Sequence, residues 1–281
     1  MNHYITLVTI KSLLGIDPSN TDSDQTLTDQ IEQASRACEL PTVCNRHFYV
    51  RTGSRTILPE STDCVILPDL LSVTSIGQDS DMDGGVDIEW DDADYFLEPF
   101  SRFPKLLLKT KPLGLNAISV WQPFIIVGDW GYGDGLSADP WESLGIAFTL
   151  ATAAATTATI SAVGALVAGM TVKVESEQMF VVSVSPTGAT IQATVKRGVN
   201  GTTAAVHAAA DGSMALYPAE LVSEINRTVG RLFQTRRASH LTSRRLGQSS
   251  FTYQKGSGAA GASLFSDTEI SALKALSRTW F

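Results

Sequence analysis

The chain of 281 residues is short of several things, and each shortage excludes something. It has three cysteines, Cys38, Cys44 and Cys64, with no CxxC pair and no two at a zinc-ligand spacing with a histidine nearby. That predicts reduced thiols in a protein assembled in a cytoplasm, not a disulfide framework or a zinc site. Its four histidines, His3, His47, His207 and His240, are scattered. There is no HExxH, no GxSxG elbow, no P-loop and no Cys–His signature, so no enzyme class gains support and neither catalytic residues nor a cofactor are expected. The N-terminus lacks the basic region and cleavage site of a signal peptide. Ser143 to Val172 carries no charge and exceeds the roughly 20 residues that cross a bilayer. Its Ala, Thr, Gly and Ser content and the alternating segment TATISAV favour strands, so no membrane partner is expected.

Charge is sparse, at 18% of residues, and unevenly placed. Residues 1–145 carry 9 basic and 22 acidic groups, residues 146–217 carry 3 and 3, and residues 218–281 carry 9 and 4. The net charge of −8 is therefore an acidic front (−13), a neutral middle and a basic end (+5). A net negative chain is a poor general coat for nucleic acid. A hydrophobic fraction of 43% suffices for a packed core.

Local patterns predict an α+β fold. Leu7, Ile10, Leu13 and Leu14 mark a first helix, with Gly15 as its C-cap. Leu27, Ile31, Ala34 and Cys38 mark a second, starting near Asp24, with Glu32 and Arg36 as an i,i+4 pair. From Phe48 the period becomes two, and short strands follow to about residue 135 as a small antiparallel sheet. Residues 146–217 hold 17 alanines and alternate strongly, which predicts a compact β-domain. Within it AAVHAAADG reads as a surface loop. Helical spacing returns at Leu221, Val222, Ile225, Val229, Leu232 and Phe233. GSGAAGAS (256–263) reads as a linker, and Ser266 to Glu269 as a capping box that starts a last helix. The simplest account is a helical core with a small sheet, residues 1–145 and 218–281, into which an all-β domain, 146–217, is inserted.

Three groups of residues could carry function. Asp79, Asp81 and Asp83 with Gly84 match the start of a calcium loop, and Asp87 lies close by. Trp90 stands where a closing Glu is required, and the flanks read as strands, so a solvated hairpin tip is the plainer reading and no metal is assigned. Hydrolysis by a metal held in this loop has no further support. Six arginines, Arg227, Arg231, Arg236, Arg237, Arg244 and Arg245, form a basic surface for phosphate or an acidic partner, or simply a solvated helix face. Leu264, Phe265, Ile270, Leu273, Leu276, Trp280 and Phe281 line the last helix and its flanks, free to anchor a partner or to pack on the chain's own core.

An ordered set of strings resembles the head–tail connector (adaptor, or head-completion) proteins of tailed bacteriophages. It comprises YITLVTIKSLLGI, CNRHF (44–48), LPDLLSVTSI (67–76), DYFLEP (94–99), VGDWGYG (127–133) and an arginine-bearing C-terminal helix. VESEQMFVVSV (174–184) and VKRGVNGTTAAVHAAADG (195–212) resemble a module of phage structural proteins, absent from shorter connectors. The resemblance implies a non-enzymatic virion protein of the head–tail neck, assembled in the host cytoplasm. It implies a homo-oligomeric ring, usually a dodecamer, under the portal protein, presenting a platform to the next neck or tail-terminator protein. Double-stranded DNA would pass through the ring without sequence recognition. It also implies that the last helix docks on the portal. A tail or baseplate protein acting through the β-domain is the competing expectation.

Overall fold

The structure, a computed structural model, describes residues 2–59, 64–67, 69–98, 105–108, 122–132, 140–161, 166–187, 190–238, 243–246, 249–252 and 264–276. It is α+β, with a helical core, antiparallel sheets of four, three and two strands, and a six-stranded closed barrel.

Helix α1 (Leu7–Leu14) starts where the Thr6 hydroxyl accepts the Thr9 N–H. It stops where Gly15 turns left-handed (φ 65°) and the Ile16 N–H returns to the Lys11 carbonyl. Helix α2 (Asp24–Cys38) buries Leu27, Ile31, Ala34 and Cys38 completely. The expected Glu32–Arg36 pair gives way to one between Arg36 and Glu39, 2.7 Å apart, because the N-terminal segment crosses here and its Asn2 carbonyl also takes the guanidinium. Helix α3 (Ala219–Ala238) adds Leu221, Ile225, Val229 and Phe233 to the same core. Helix α4 (Asp267–Lys274) begins with the expected capping box, Ser266 with Glu269.

Strands β1 (Arg51–Ile57), β3 (Leu70–Gln78), β4 (Ile88–Trp90) and β7 (Phe124–Trp130) form an antiparallel sheet in the order β1-β7-β3-β4. Strands β2 (Cys64–Ile66), β5 (Tyr95–Glu98) and β6 (Lys105–Leu108) form a second, in the order β2-β6-β5. Phe124, Ile126 and Trp130 of β7 fill the space under the first sheet. Gly128 must be glycine there, since a Cβ would lie 2.0 Å from the Ser72 carbonyl oxygen.

The net-neutral middle of the chain closes into a six-stranded barrel. It comprises β8 (Trp141–Leu150), β9 (Thr157–Ile160), β10 (Thr171–Val174), β11 (Glu177–Thr187), β12 (Thr190–Lys196) and β13 (His207–Ala215), in the order β10-β11-β12-β9-β8-β13. Closure leaves no free edge. Ile146, Phe148, Leu150, Val174, Met179 and Val181 fill its interior. Two expectations change. The first strand starts at Trp141, ahead of residue 146. The segment read as a surface loop, 204–212, is irregular only as far as 206; from His207 it is β13, which pairs with both β8 and β10 and so completes the barrel. Its alanines contribute little core, and ladders on both sides compensate through the backbone.

Strands β14 (Ser243–Leu246) and β15 (Ser249–Thr252) pair as a hairpin. The linker expected at 256–263 lies outside the described residues. No described helix is long and apolar enough to cross a membrane, and the described part of the uncharged stretch is short strands joined by turns, with no helix.

Candidate interaction surfaces

Three of the distant strings and the end of the last helix meet at one buried joint. Arg46 of CNRHF forms a fully buried ion pair with Asp69 of LPDLL. Its other terminal nitrogen donates to the Leu276 carbonyl at 3.2 Å, just past α4. The guanidinium lies over the Tyr132 ring, 4.7 Å from its centroid, and Tyr132 in turn packs on Phe48. The Gly131 N–H donates to the Asp69 carbonyl at 2.7 Å, tying in VGDWGYG. Asp69 takes a positive φ of 62° to serve these partners. The buried thiol of Cys44 faces the Leu273 carbonyl at 3.5 Å. Burial raises that thiol to about 12 despite the nearby Arg46, and burial raises Cys38 beyond the ordinary thiol range, so both are inert in nucleophilic chemistry. Nothing in the one-dimensional pattern pointed to Arg46 or Asp69, because neither falls in a charge cluster and their pairing is a tertiary event.

The joint decides where α4 sits. Phe265, Leu273 and Leu276 are buried in the helical core, with Leu264 and Ile270 partly so. Arg231 of α3 clamps the start of α4, donating to Glu269 at 2.9 Å and to the Leu264 carbonyl at 2.7 Å. Burial would raise the Glu269 carboxyl, but the bonds from Arg231 and Ser266 hold it below the usual range. The residues expected to dock on a portal are therefore occupied with the chain's own core, while Trp280 and Phe281 lie outside the described residues.

The side chains of three of the six arginines, Arg227, Arg231 and Arg236, are described. Arg227 pairs with Glu224 at 3.1 Å while staying 57% exposed. Arg231 serves α4, and Arg236 lines a cleft with Asp22 and Phe233. Arg244 and Arg245 fall on β14, and with Arg237 their side chains lie outside the described residues.

The acidic run is the loop between β3 and β4. Asp79 is buried and accepts the N–H groups of Asp83 and Gly84, at 3.2 and 2.9 Å. Asp87 accepts the Ser80 N–H and hydroxyl at 2.7 and 2.8 Å and the Asp81 N–H at 3.2 Å. The Ser80 bonds lower the Asp87 carboxyl. Asp81 accepts the Asp83 N–H, which lowers its carboxyl, yet desolvation and the charges of Asp83, Asp87 and Asp79 leave it raised. Oxygens of Asp79, Asp81 and Asp87 lie within 4.8 Å of one another and are the chain's best hard-cation ligands among the described residues. Asp83 is turned into its own turn, bonding the Gly85 N–H at 2.7 Å. The loop is thus a rigid tip whose carboxylates are already engaged by its backbone.

The barrel carries a second buried network. Glu177, with no exposed side-chain surface, accepts both Nε and Nη2 of Arg197 at 2.7 Å. It also accepts the N–H groups of Gly198 and Ala205 at 3.0 Å and His207 Nε2 at 2.8 Å. The opposite ring nitrogen of His207 faces Glu175 at 2.8 Å. This network folds the 197–206 loop back on the barrel. At its turn, Asn200 bonds Asn2 and Gln178, and Thr171 also bonds Asn2, which ties the barrel to the N-terminal segment. The string VKRGVNGTTAAVH is distinctive in sequence, but its charges could be assigned roles only once the loop closed on Glu177.

The chain matches no family model, no curated protein and no solved structure.

Proposed function

We propose that the chain is a non-enzymatic virion protein, a ring-forming head–tail adaptor that binds a portal vertex, extends the DNA channel and offers a platform to a neck or tail-terminator protein. One observation carries this reading. CNRHF, LPDLL, VGDWGYG and the C-terminal helical region, scattered in sequence, converge on the Arg46–Asp69 joint. Three strings that meet in space, together with the end of α4, form one structural device, which supports reading their order as one fold. Folded in this way, α4 reaches a portal only by leaving its seat on the core, and Arg227 and Arg231 of α3 act through surfaces shared with Glu224 and Glu269.

Negative-stain imaging of the purified chain mixed with portal rings tests the proposal. Rings with a central channel stacked on the portal are expected. A chain that stays monomeric both alone and with portal overturns it. Density away from the neck in whole particles would transfer the role to the tail or baseplate.

A further inference from the structure

A groove of about 520 Å³ runs between α1 and α3. Leu13, Leu14 and Gly230 form its floor, and Arg227, Arg231 and Gln234 stand along its edge. Its lining contains two arginines and no carboxylate. Leu13 is 60% exposed on α1, whose buried residues are Ile10 and Lys11. A Cβ at Gly230 would lie 3.9 Å from both Leu13 and Leu14, so its absence leaves room between the two helices. Both arginines are held in place from behind, by Glu224 and Glu269, and remain partly exposed. A surface of this kind fits an apolar knob ringed by carboxylates.

The same chain carries such a knob. At the tip of the β3–β4 loop Met82 is 59% exposed and Val86 47% exposed. Asp81, Asp83 and Asp87 surround them, and residues 79–98 contain nine acidic groups and no basic one. Met82 is held at a positive φ of 65°, an unfavourable conformation for a non-glycine residue. Asp79 and Asp87 fix the loop by accepting N–H groups on both sides of that residue. A rigid loop that projects methionine into solvent loses little entropy on docking.

We infer that the acidic β3–β4 loop of one copy seats in the α1–α3 groove of a second copy, with Met82 on Leu13 and Gly230 and the loop carboxylates against Arg227 and Arg231. The two patches differ, so the contact is head-to-tail and propagates from copy to copy, closing a ring where the rotation allows. This rests on the ring reading above and gives that ring its subunit contact.

The test places cysteines at two exposed positions beside the contact, Gln234→Cys and Val86→Cys, which leave Leu13 and Met82 in place, in the full chain and applies a short bismaleimide. The double variant is expected to give a ladder of dimers, trimers and higher species that grows with protein concentration. Each single variant should stay at background, as should the double variant carrying Arg227→Glu. An equimolar mixture of Asp83→Lys and Arg227→Glu chains should associate at least roughly tenfold more tightly than either alone, because charge reversal on both sides restores attraction. Absence of a ladder above the single-cysteine controls, in chains with unchanged near-UV circular dichroism, overturns the inference. The two readings fail separately. Rings on the portal without a ladder remove this contact and leave the adaptor, whereas a ladder without rings keeps the contact and removes the adaptor.

Discussion

Replacing Arg197 by Met should be among the most damaging single changes in the barrel. The guanidinium gives two parallel 2.7 Å bonds to Glu177 and also reaches the Ala155 carbonyl at 2.7 Å. Methionine keeps much of the volume and none of the charge. Glu177 would retain the Gly198, Ala205 and His207 donors but would be a buried carboxylate without its main counter-charge. Breaking one side of such a pair costs about 3–5 kcal/mol. For a chain of this size that corresponds to a fall in Tm of roughly 6–20 °C. Urea unfolding followed by tryptophan fluorescence measures it. Glu177→Gln gives an independent check through pH. Burial alone would raise the Glu177 carboxyl, but Arg197, Ala205, His207 and Gly198 together hold it at about 2, against an ordinary 4.5. A lowered folded value means that the unfolded chain takes up the proton first as pH falls. The stabilisation is therefore complete above about pH 4.5 and is lost on descending through about pH 2, a difference of about 3 kcal/mol by linkage. The wild-type and Glu177→Gln stability curves should converge across that window. Equal stability at pH 7, within about 0.5 kcal/mol, with parallel acid limbs would refute the view that this network organises the barrel.

Other consequences can be measured on the same chain. Arg46→Met should loosen α4 more than any other element, seen as faster amide exchange across 264–276 with little change in the barrel. Leu273→Ala, at a fully buried position in the helical core, should cost about 2–5 kcal/mol in urea unfolding. Gly201→Ala would bring a Cβ to 2.1 Å from the Thr52 carbonyl at a backbone φ of 87°, so the 199–201 turn should lift from β1, exposing the Thr52 region to exchange. His3 is held at about 4, chiefly by burial, against an ordinary 6.5. Its contribution is thus present above about pH 6.5 and lost as pH falls through about 4, and His3→Gln should flatten the stability curve in that range and leave it unchanged above.

The helices were legible because each is an apolar stripe with a chemical stop. Leu27, Ile31, Ala34 and Cys38 all point into one core, and Ser266 and Glu269 cap α4 reciprocally. The alternation at Thr171–Val174 and Glu177–Thr187 likewise foretold strands. What escaped was whatever depends on two distant backbones. His207–Ala215 lacks large side chains, so no local signal marks it as a strand, and only the ladders to β8 and β10 make it one. The same limit applies to the candidate surfaces. The arginine cluster was visible as composition, but its division among Glu224, Glu269 and other partners follows from the folding of α4 onto α3. The acidic run was visible as a loop, but the carboxylates that brace it could not be told from those that face solvent.

The barrel's first and last strands also bear on the order of folding. Trp141 pairs with Ala215, and the Leu216 N–H donates to the Pro140 carbonyl at 2.7 Å, so the chain leaves the core and returns to it at one place. Three of the six barrel pairings join consecutive strands, and all six lie within residues 141–215, so they need little of the rest of the chain. Once they form, the long excursion shrinks to the width of a strand pair, and α3 is delivered next to α1 and α2 at a much smaller loop-closure cost. A barrel that folds early would thus speed assembly of the helical core, whose contacts are otherwise among the most distant in the sequence.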